Sequence, residues 1–247
     1  MSKKMKLGAR IANVLVEPSE AFNDIFDASA KTRVWLYPLV LSLLLVPVWN
    51  YVILNDELLS KQVYELRQKQ FRTTAGTMRG MNDGSATSEE STTRLRFRRL
   101  FVMFSILGIS KEIVYFFGAV FFLSLFGRVF LHIKTTFHDS FALYGLSMWI
   151  DILGSIIALL MVKAFGSLSA KPTAAALFFS TYDPSITIHR ILTEFNFFSV
   201  WQSSVIGIGL AKLSGKKRLV AVSLVVSGWA LWVLISAKLR ITTITAP

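Results

Sequence analysis

The most constraining feature of this sequence is the run at residues 34–54, which carries no charged side chain. A helix needs about 20 apolar residues to cross a hydrocarbon layer of ~30 Å. Trp35 and Tyr37 stand at one end of the run and Trp49 and Tyr51 at the other, where aromatic rings sit at the two membrane interfaces. Pro47 inside it is expected to kink or end the regular helix. Further apolar runs of spanning length lie at residues 112–131, 141–162, 195–211 and 219–237. The pattern predicts an all-α, polytopic membrane protein with five transmembrane helices. Composition enters in support: 53% of the residues are hydrophobic and 17% charged, against about 25% charged in a soluble domain. A soluble fold of this size could not hide that apolar fraction beneath a charged shell.

Residues 1–33 read as a cytoplasmic amphipathic segment. Leu7, Ile11, Val14 and Leu15 recur at helical spacing while Lys6, Arg10, Asn13 and Glu17 fall on the other faces, which predicts an N-terminal interfacial helix. Lys3, Lys4, Lys6 and Arg10 are then placed to meet anionic headgroups. After Pro18, Ser19 is expected to cap a second short helix carrying Ala21, Phe22, Ile25 and Phe26.

The membrane domain takes residues 34–240 and is interrupted by an extramembrane stretch at 55–99. Leu58, Leu59, Val63 and Leu66 recur at helical spacing, and Glu57 with Lys61 and Glu65 with Lys69 form i,i+4 pairs, so a polar helix is expected there. Residues 73–93 hold almost nothing to bury and read as a mobile loop. Arg94, Arg96, Arg98 and Arg99 mark the return to the headgroups. Residues 100–131 exceed one crossing, so a break near 108–110 is expected to separate an entry helix from the second span. Residues 164–194, with Pro172 and Pro184, connect the third span to the fourth, and their stretch 174–182 is too short to cross.

Lys and Arg number 27 against 15 Asp and Glu, a net charge of +12. The excess gathers at the ends of the spans, which selects anionic lipid as partner and leaves no need for nucleic acid. Outside the long loop, basic residues concentrate before the first span, at Arg128 and Lys134, and at Lys212, Lys216, Lys217 and Arg218. The opposite side carries Lys163, Lys171, Arg190, Lys238 and Arg240. The positive-inside rule then puts the N-terminus in the cytoplasm and the C-terminus outside, although the long loop is basic as well.

The sequence offers no catalytic constellation. It has no Cys, and His132, His138 and His189 form no HExxH, nor is there a Gly-rich phosphate loop or a GxSxG. No enzyme activity, cofactor or metal is expected. Asp151 is the exception to an apolar interior, because a carboxylate at mid-membrane must face a partner or water, or take up a proton. Lys111 and Glu112 are the nearest ionisable groups by depth, so either pairing with Lys111 across neighbouring helices or protonation is expected to neutralise Asp151. Ser203, Gly207, Ala211 and Gly215 repeat every four residues, a face on which another helix or a second copy of the chain could pack closely. Trp229 and Trp232, inside the fifth span, are expected to fill the bundle.

Several stretches resemble the YIP family of small five-span membrane proteins, specifically its bacterial branch. They are Glu-Pro-Ser-x-Ala-Phe-x-x-Ile at residues 17–25, Trp-Leu-x-Pro-Leu at 35–39 and Thr-Phe-x-x-Ser-Phe-Ala-Leu-Tyr-Gly at 136–145. Phe-Asn-Phe-Phe-Ser-Val-Trp at 195–201 and Gly-Ile-Gly-Leu-Ala-Lys-Leu-Ser-Gly at 207–215 complete the set. The sequence departs from the family where the third span often has Pro and here reads Met148, Trp149, Ile150, Asp151. The resemblance implies a helical multi-pass protein of the bacterial cytoplasmic (inner) membrane that acts through partners and not by catalysis. The resemblance further implies partners of the kind its relatives have: eukaryotic members bind small GTPases and shape trafficking membranes, and some bacterial members accompany transport systems. No site residue carries over. Residues and resemblance together lead to a scaffold or accessory subunit that contacts membrane lipids and another membrane protein or complex. The alternative is a small transporter or ion or proton channel using Asp151, Lys111 and Glu112.

Overall fold

The computed structural model describes residues 7–22, 34–75, 89–132, 136–174, 176 and 186–239, with side chains described except at 67–75, 89–96, Thr187, Arg190 and 237–239. Among the described residues the architecture is all-α. The elements are α1 (Leu7–Val16), α2 (Pro18–Ala21), α3 (Leu36–Leu54), α4 (Glu57–Ala75), α5 (Glu89–Leu131), α6 (Phe137–Phe165), α7 (Thr187–Glu194), α8 (Phe197–Ser214) and α9 (Arg218–Leu239). Among the described residues four helices are long and apolar enough to cross a membrane: Leu36–Leu54, Phe97–Leu131, Phe137–Phe165 and Arg218–Ser236. The chain is therefore a polytopic helical membrane protein.

Side-chain contacts set the helix directions. On α3 and α5, Trp35 stacks with Phe116, Val46 lies beside Gly108 and Asn50 beside Ser105, so one number rises as the other falls and the pair is antiparallel. On α6 and α8, Leu143 meets Gly209 and Gly154 meets Phe198, again antiparallel. Helix α3 runs parallel to α6, since Trp35 meets Gly145 near their starts and Asp56 reaches Lys163 near their ends. A tight turn at Gly215, whose φ of 65° suits a residue without Cβ, folds α9 back on α8. The side holding α1, α2 and the α8–α9 turn is called the N-side below, and the side holding α4 and α7 the far side.

Helix α6 is the centre. Half of its most apolar window is buried inside the protein, against 17–28% for the other three candidate spans. The close crossings use glycine. A Cβ on Gly145 would lie 2.4 Å from the Trp35 Cα, one on Gly154 2.7 Å from the Phe198 ring, and one on Gly207 2.5 Å from the Val222 Cα. Lipid tails are as apolar as leucine, so helices in a bilayer are held by packing contact, and small residues permit that contact.

Several expectations need correction. Helix α5 is continuous through residues 108–110, because Gly108 seats Val46 of α3, whose Cγ1 is 2.6 Å from where a Cβ would stand. Its glycine serves an approach and not a break. Helix α3 runs past Pro47 to Leu54, so the proline does not end it. Helix α2 has four residues, with Glu17 as N-cap and Pro18 in its first turn, so Ser19 is not the cap; Ile25 and Phe26 lie outside the described residues. The stretch 73–93 is helical at both ends, in α4 and α5, and 76–88 lies outside the described residues. Trp232 faces outward, 46% exposed, while Trp229 packs edge-on against Phe195.

Replacing Gly145 or Gly207 by Ala drives a methyl into backbone atoms of a neighbouring helix and is expected to cost about 1–3 kcal/mol. Gly118, which has nothing within 4 Å, is expected to accept Ala with no loss and a gain of up to about 1 kcal/mol from helix propensity. Thermal unfolding of the detergent-solubilised variants measures both.

Candidate functional site

The polar groups at membrane depth come from α6 and three helices packed around it, α3, α5 and α8. Asp151 sits two turns from Gly145 and one from Gly154, between the crossings with α3 and α8. The groups that act on its carboxyl are the Gln202 amide of α8 and the Glu112 carboxylate of α5. Gln202 is 9% exposed, and its amide is the hydrogen-bonding neighbour of that carboxyl. Glu112 accepts a 2.5 Å hydrogen bond from the Ser42 hydroxyl of α3. One level further toward the far side, Asn50 of α3 donates to Ser105 of α5 at 3.4 Å.

Lys111 does not pair with Asp151. Its electrostatic partners are Glu112 and Glu194, because neighbouring residues on a helix point about 100° apart. When Glu112 turns toward Ser42 and Asp151, Lys111 is carried to the exposed flank.

The connection between α6 and α8 brings polar backbone down to this level. Phe198, at the start of α8, lies against Gly154, and α6 rises another ~16 Å from there to Phe165 at 1.5 Å per residue. The chain must descend that distance before α8 can begin. At the top, the Gln62 amide of α4 donates to the Gly166 carbonyl at 2.7 Å and accepts from the Leu168 N–H at 3.0 Å. Midway, the Lys171 ammonium lies 5.9 Å from the Trp49 ring centroid. At the bottom, Thr173 and Asn196 form an antiparallel bridge, Ala174 N–H donates to the Phe195 carbonyl at 2.8 Å, and Asn196 caps α8 through Phe198 N–H at 3.0 Å. The indole Nε1 of Trp49 and the hydroxyl of Thr173 are buried there without a hydrogen-bond partner. A shallow recess of about 320 Å³ lined by Phe197, Val200, Trp201 and Ser204 opens on the first turns of α8. The expected stretch 174–182 lies mostly outside the described residues.

Below Asp151, toward the N-side, the interior is closed. Leu143, Leu146, Ser147 and Ile150 of α6 have no exposed surface, and the Ser147 hydroxyl is satisfied by the Tyr144 carbonyl at 2.7 Å.

The remaining candidate residues divide between packing, lipid and masked regions. Ser203, Gly207 and Ala211 are buried, with Gly207 against α9. Gly215 does not share that face; it ends α8, with nothing within 4 Å of its Cβ position. Arg10 is not displayed to headgroups. It is 5% exposed with an unpartnered Nε, while Leu7, Ala12 and Val16 face outward. Periodicity fixed the faces of α1, but docking on α6 turned the Arg10 and Val14 face inward. Arg98 and Arg99 are exposed on α5; Arg94 and Arg96 lie in the same helix without described side chains, and Lys3, Lys4 and Lys6 lie outside the described residues. No group of three or more His, Asp and Glu among the described residues could hold a metal ion.

On the far side, Asp56 clamps α4 to α6. Its Oδ1 accepts from the N–H groups of Leu58 and Leu59 at 3.0 and 3.2 Å, and its Oδ2 pairs with Lys163. The Lys163 ammonium, with those amides, holds the Asp56 carboxyl below the usual carboxylate range. Beneath the clamp, Ile53, Leu59, Val63, Val162 and Leu168 form a second apolar cluster.

This is the layout of a multi-pass helical membrane protein with a half-buried cluster of polar groups around Asp151 and a polar helix, α4, clamped to the bundle at its base. Residues 12–237 match the Yip1 domain, and the chain belongs to the Yip1 family. No curated protein and no solved structure matches it.

Two outcomes are expected. Ser42→Ala leaves Glu112 without its donor and lowers stability by about 1 kcal/mol, read by unfolding in detergent. The depressed Asp56 carboxyl stabilises α4 docking fully above about pH 4 and loses that contribution as pH falls through its folded-state value. Hydrogen exchange of α4 should therefore accelerate in acid, and Asp56→Asn should remove that pH dependence.

Proposed function

We propose that this chain is a non-enzymatic integral membrane scaffold, or an accessory subunit of a membrane complex such as a transport system. Its setting on this reading is the bacterial cytoplasmic membrane, crossed five times by α3, α5, α6, α8 and α9, with the N-terminus cytoplasmic and the C-terminus outside. Alternating helix directions support an odd number of crossings.

The observation that carries the reading is α4. It leaves the bundle at a fixed angle set by the Asp56 clamp and the Gln62 bracket, yet Leu58, Tyr64 and Leu66 on it are 64%, 39% and 38% exposed. A helix outside the membrane that keeps apolar side chains in water and holds its base rigid is built to be covered by another protein. Glycine-seated packing gives it a stiff platform, and the basic residues of the N-side suit anionic lipid.

A second reading, a small transporter or a proton or ion channel, draws on Asp151, Glu112 and Gln202 in the interior. Purification in mild detergent with partner identification separates the two. The scaffold reading expects a stoichiometric partner that is lost from a Leu58→Asp, Leu66→Asp double variant of unchanged helicity. Isolation of the lone protein together with proton or ion flux in liposomes overturns it.

A further inference from the structure

We propose that α1 is a releasable strap: it docks on α6 with Arg10 buried, and an anionic lipid headgroup on the N-side draws Arg10 out and swings α1 into the membrane interface, while α2 stays locked to the bundle. The strap goes beyond the scaffold reading and stands whether or not a partner covers α4.

The first support is a buried cation. Helix α1 packs on α2 and α6, and its buried residues are Arg10 and Val14. Val14 joins the main apolar core. Arg10 is 5% exposed, and its Nε is shut away from water without a hydrogen-bond partner. Among the described residues no carboxylate forms an ion pair with it. Asp139, the buried carboxylate in the first turn of α6, turns its Oδ2 to the N–H and hydroxyl of Thr136. A charge taken out of water without a partner opposes the contact that buries it. Docking of α1 therefore sets one apolar anchor, Val14, against one unpaired guanidinium.

The second support is the place α1 can go. Leu7, Ile11, Val14 and Leu15 form its apolar stripe, and Arg10, one residue before Ile11, points about 100° away from it. In the docked helix Leu7 is 37% and Val16 79% exposed, so docking does not follow the amphipathic axis. Laid in the interface, the same helix sinks its stripe to the acyl boundary and raises Arg10 to the phosphates, which its planar fork of donors suits. The occupant is anionic lipid because the neighbouring surface attracts it: Lys212, Lys216, Lys217 and Arg218 are all exposed around the α8–α9 turn.

The third support is a fixed end beside a hinge. Phe22 has no exposed surface, and its ring fills the notch at Gly209 beside Leu143. The Lys212 ammonium donates to the Ser19 carbonyl at 2.7 Å. Between this anchor and α1, Glu17 leaves the helical conformation with φ −131° and ψ 69°, and Pro18 brings no N–H to carry α1 onward. Helix α1 can therefore turn about Glu17 without disturbing α2.

The natural chain has no Cys, so pairs of spin labels on introduced cysteines measure the swing in the full-length protein. Gly8 has nothing within 4 Å of its Cβ position and Leu219 is 83% exposed, so Gly8→Cys with Leu219→Cys leaves the packing intact. Gly8 lies ~14 Å from Glu17 along α1, which allows a displacement of up to about 28 Å. In zwitterionic vesicles one distance is expected, and in vesicles enriched in anionic lipid a second, shifted distance appears. Glu20→Cys with Leu219→Cys is expected to give the same distance in both. Arg10→Gln, which removes the buried charge and keeps a side chain of similar reach, is expected to abolish the second distance. Identical Gly8 to Leu219 distances in the two vesicles, or an undiminished response in Arg10→Gln, overturns the strap. A response of the Glu20 pair overturns the hinge, and the same shift produced by inorganic phosphate in zwitterionic vesicles overturns lipid as the ligand. None of these readouts depends on flux or on a captured partner, so their failure is distinct from failure of either functional reading.

Discussion

Everything in this structure depends on how closely bare backbones approach α6. In water, burial of apolar surface would drive the helices together, but in lipid the surrounding medium is equally apolar and contact must supply the difference. Glycine supplies it twice along α6, at Gly145 against Trp35 of α3 and at Gly154 against Phe198 of α8. Gly209 of α8 returns the contact by admitting Leu143 and the Phe22 ring, which also ties α2 into the bundle. Asp151 lies between the two crossings on α6. Its half-buried side chain meets what α5 and α8 bring to it.

What they bring differs on the two sides of the residue. Toward the N-side the contacts are apolar and closed. Toward the far side α8 is missing, because it starts at the level of Gly154, and its place is taken by a folded segment whose backbone satisfies itself only in part, through the Thr173 and Asn196 bridge. The shortness of α8 is also why it falls outside the set of helices apolar enough to cross by composition: Gln202, Ser203, Ser204 and Lys212 are spread over only 18 residues.

The helices themselves were legible from sequence, since hydropathy records whether a segment meets lipid. The partners of individual residues were not. Gly108 looks like a breaker when read along α5, and only the presence of Val46 across the interface shows it to be a seat. Gly215 continues the spacing of Ser203, Gly207 and Ala211, but its positive φ gives it a different task. Lys111 and Asp151 share a depth, and depth says nothing about which way a side chain points round the helix axis. Arg10 fell on the polar side of α1 by periodicity, yet the helix docks with that side inward, an outcome decided by the surface of α6 and not by α1. Depth and period are one-dimensional quantities, whereas pairing needs the angle between neighbours.

The clamp on α4 and the descending segment are one mechanical unit. Gln62 of α4 holds Gly166 and Leu168 by two hydrogen bonds, and those residues begin the segment whose other end is fixed to Asn196 at the cap of α8. Any force applied to α4 from outside the membrane passes first into Gly166, which sits in the left-handed region and can reorient more easily than a residue with a Cβ. From there it passes to Lys171 and Thr173, next to the orphaned Trp49 Nε1. On the proposed scaffold reading, a partner that covers Leu58 and Leu66 therefore pulls on the residues that follow α6.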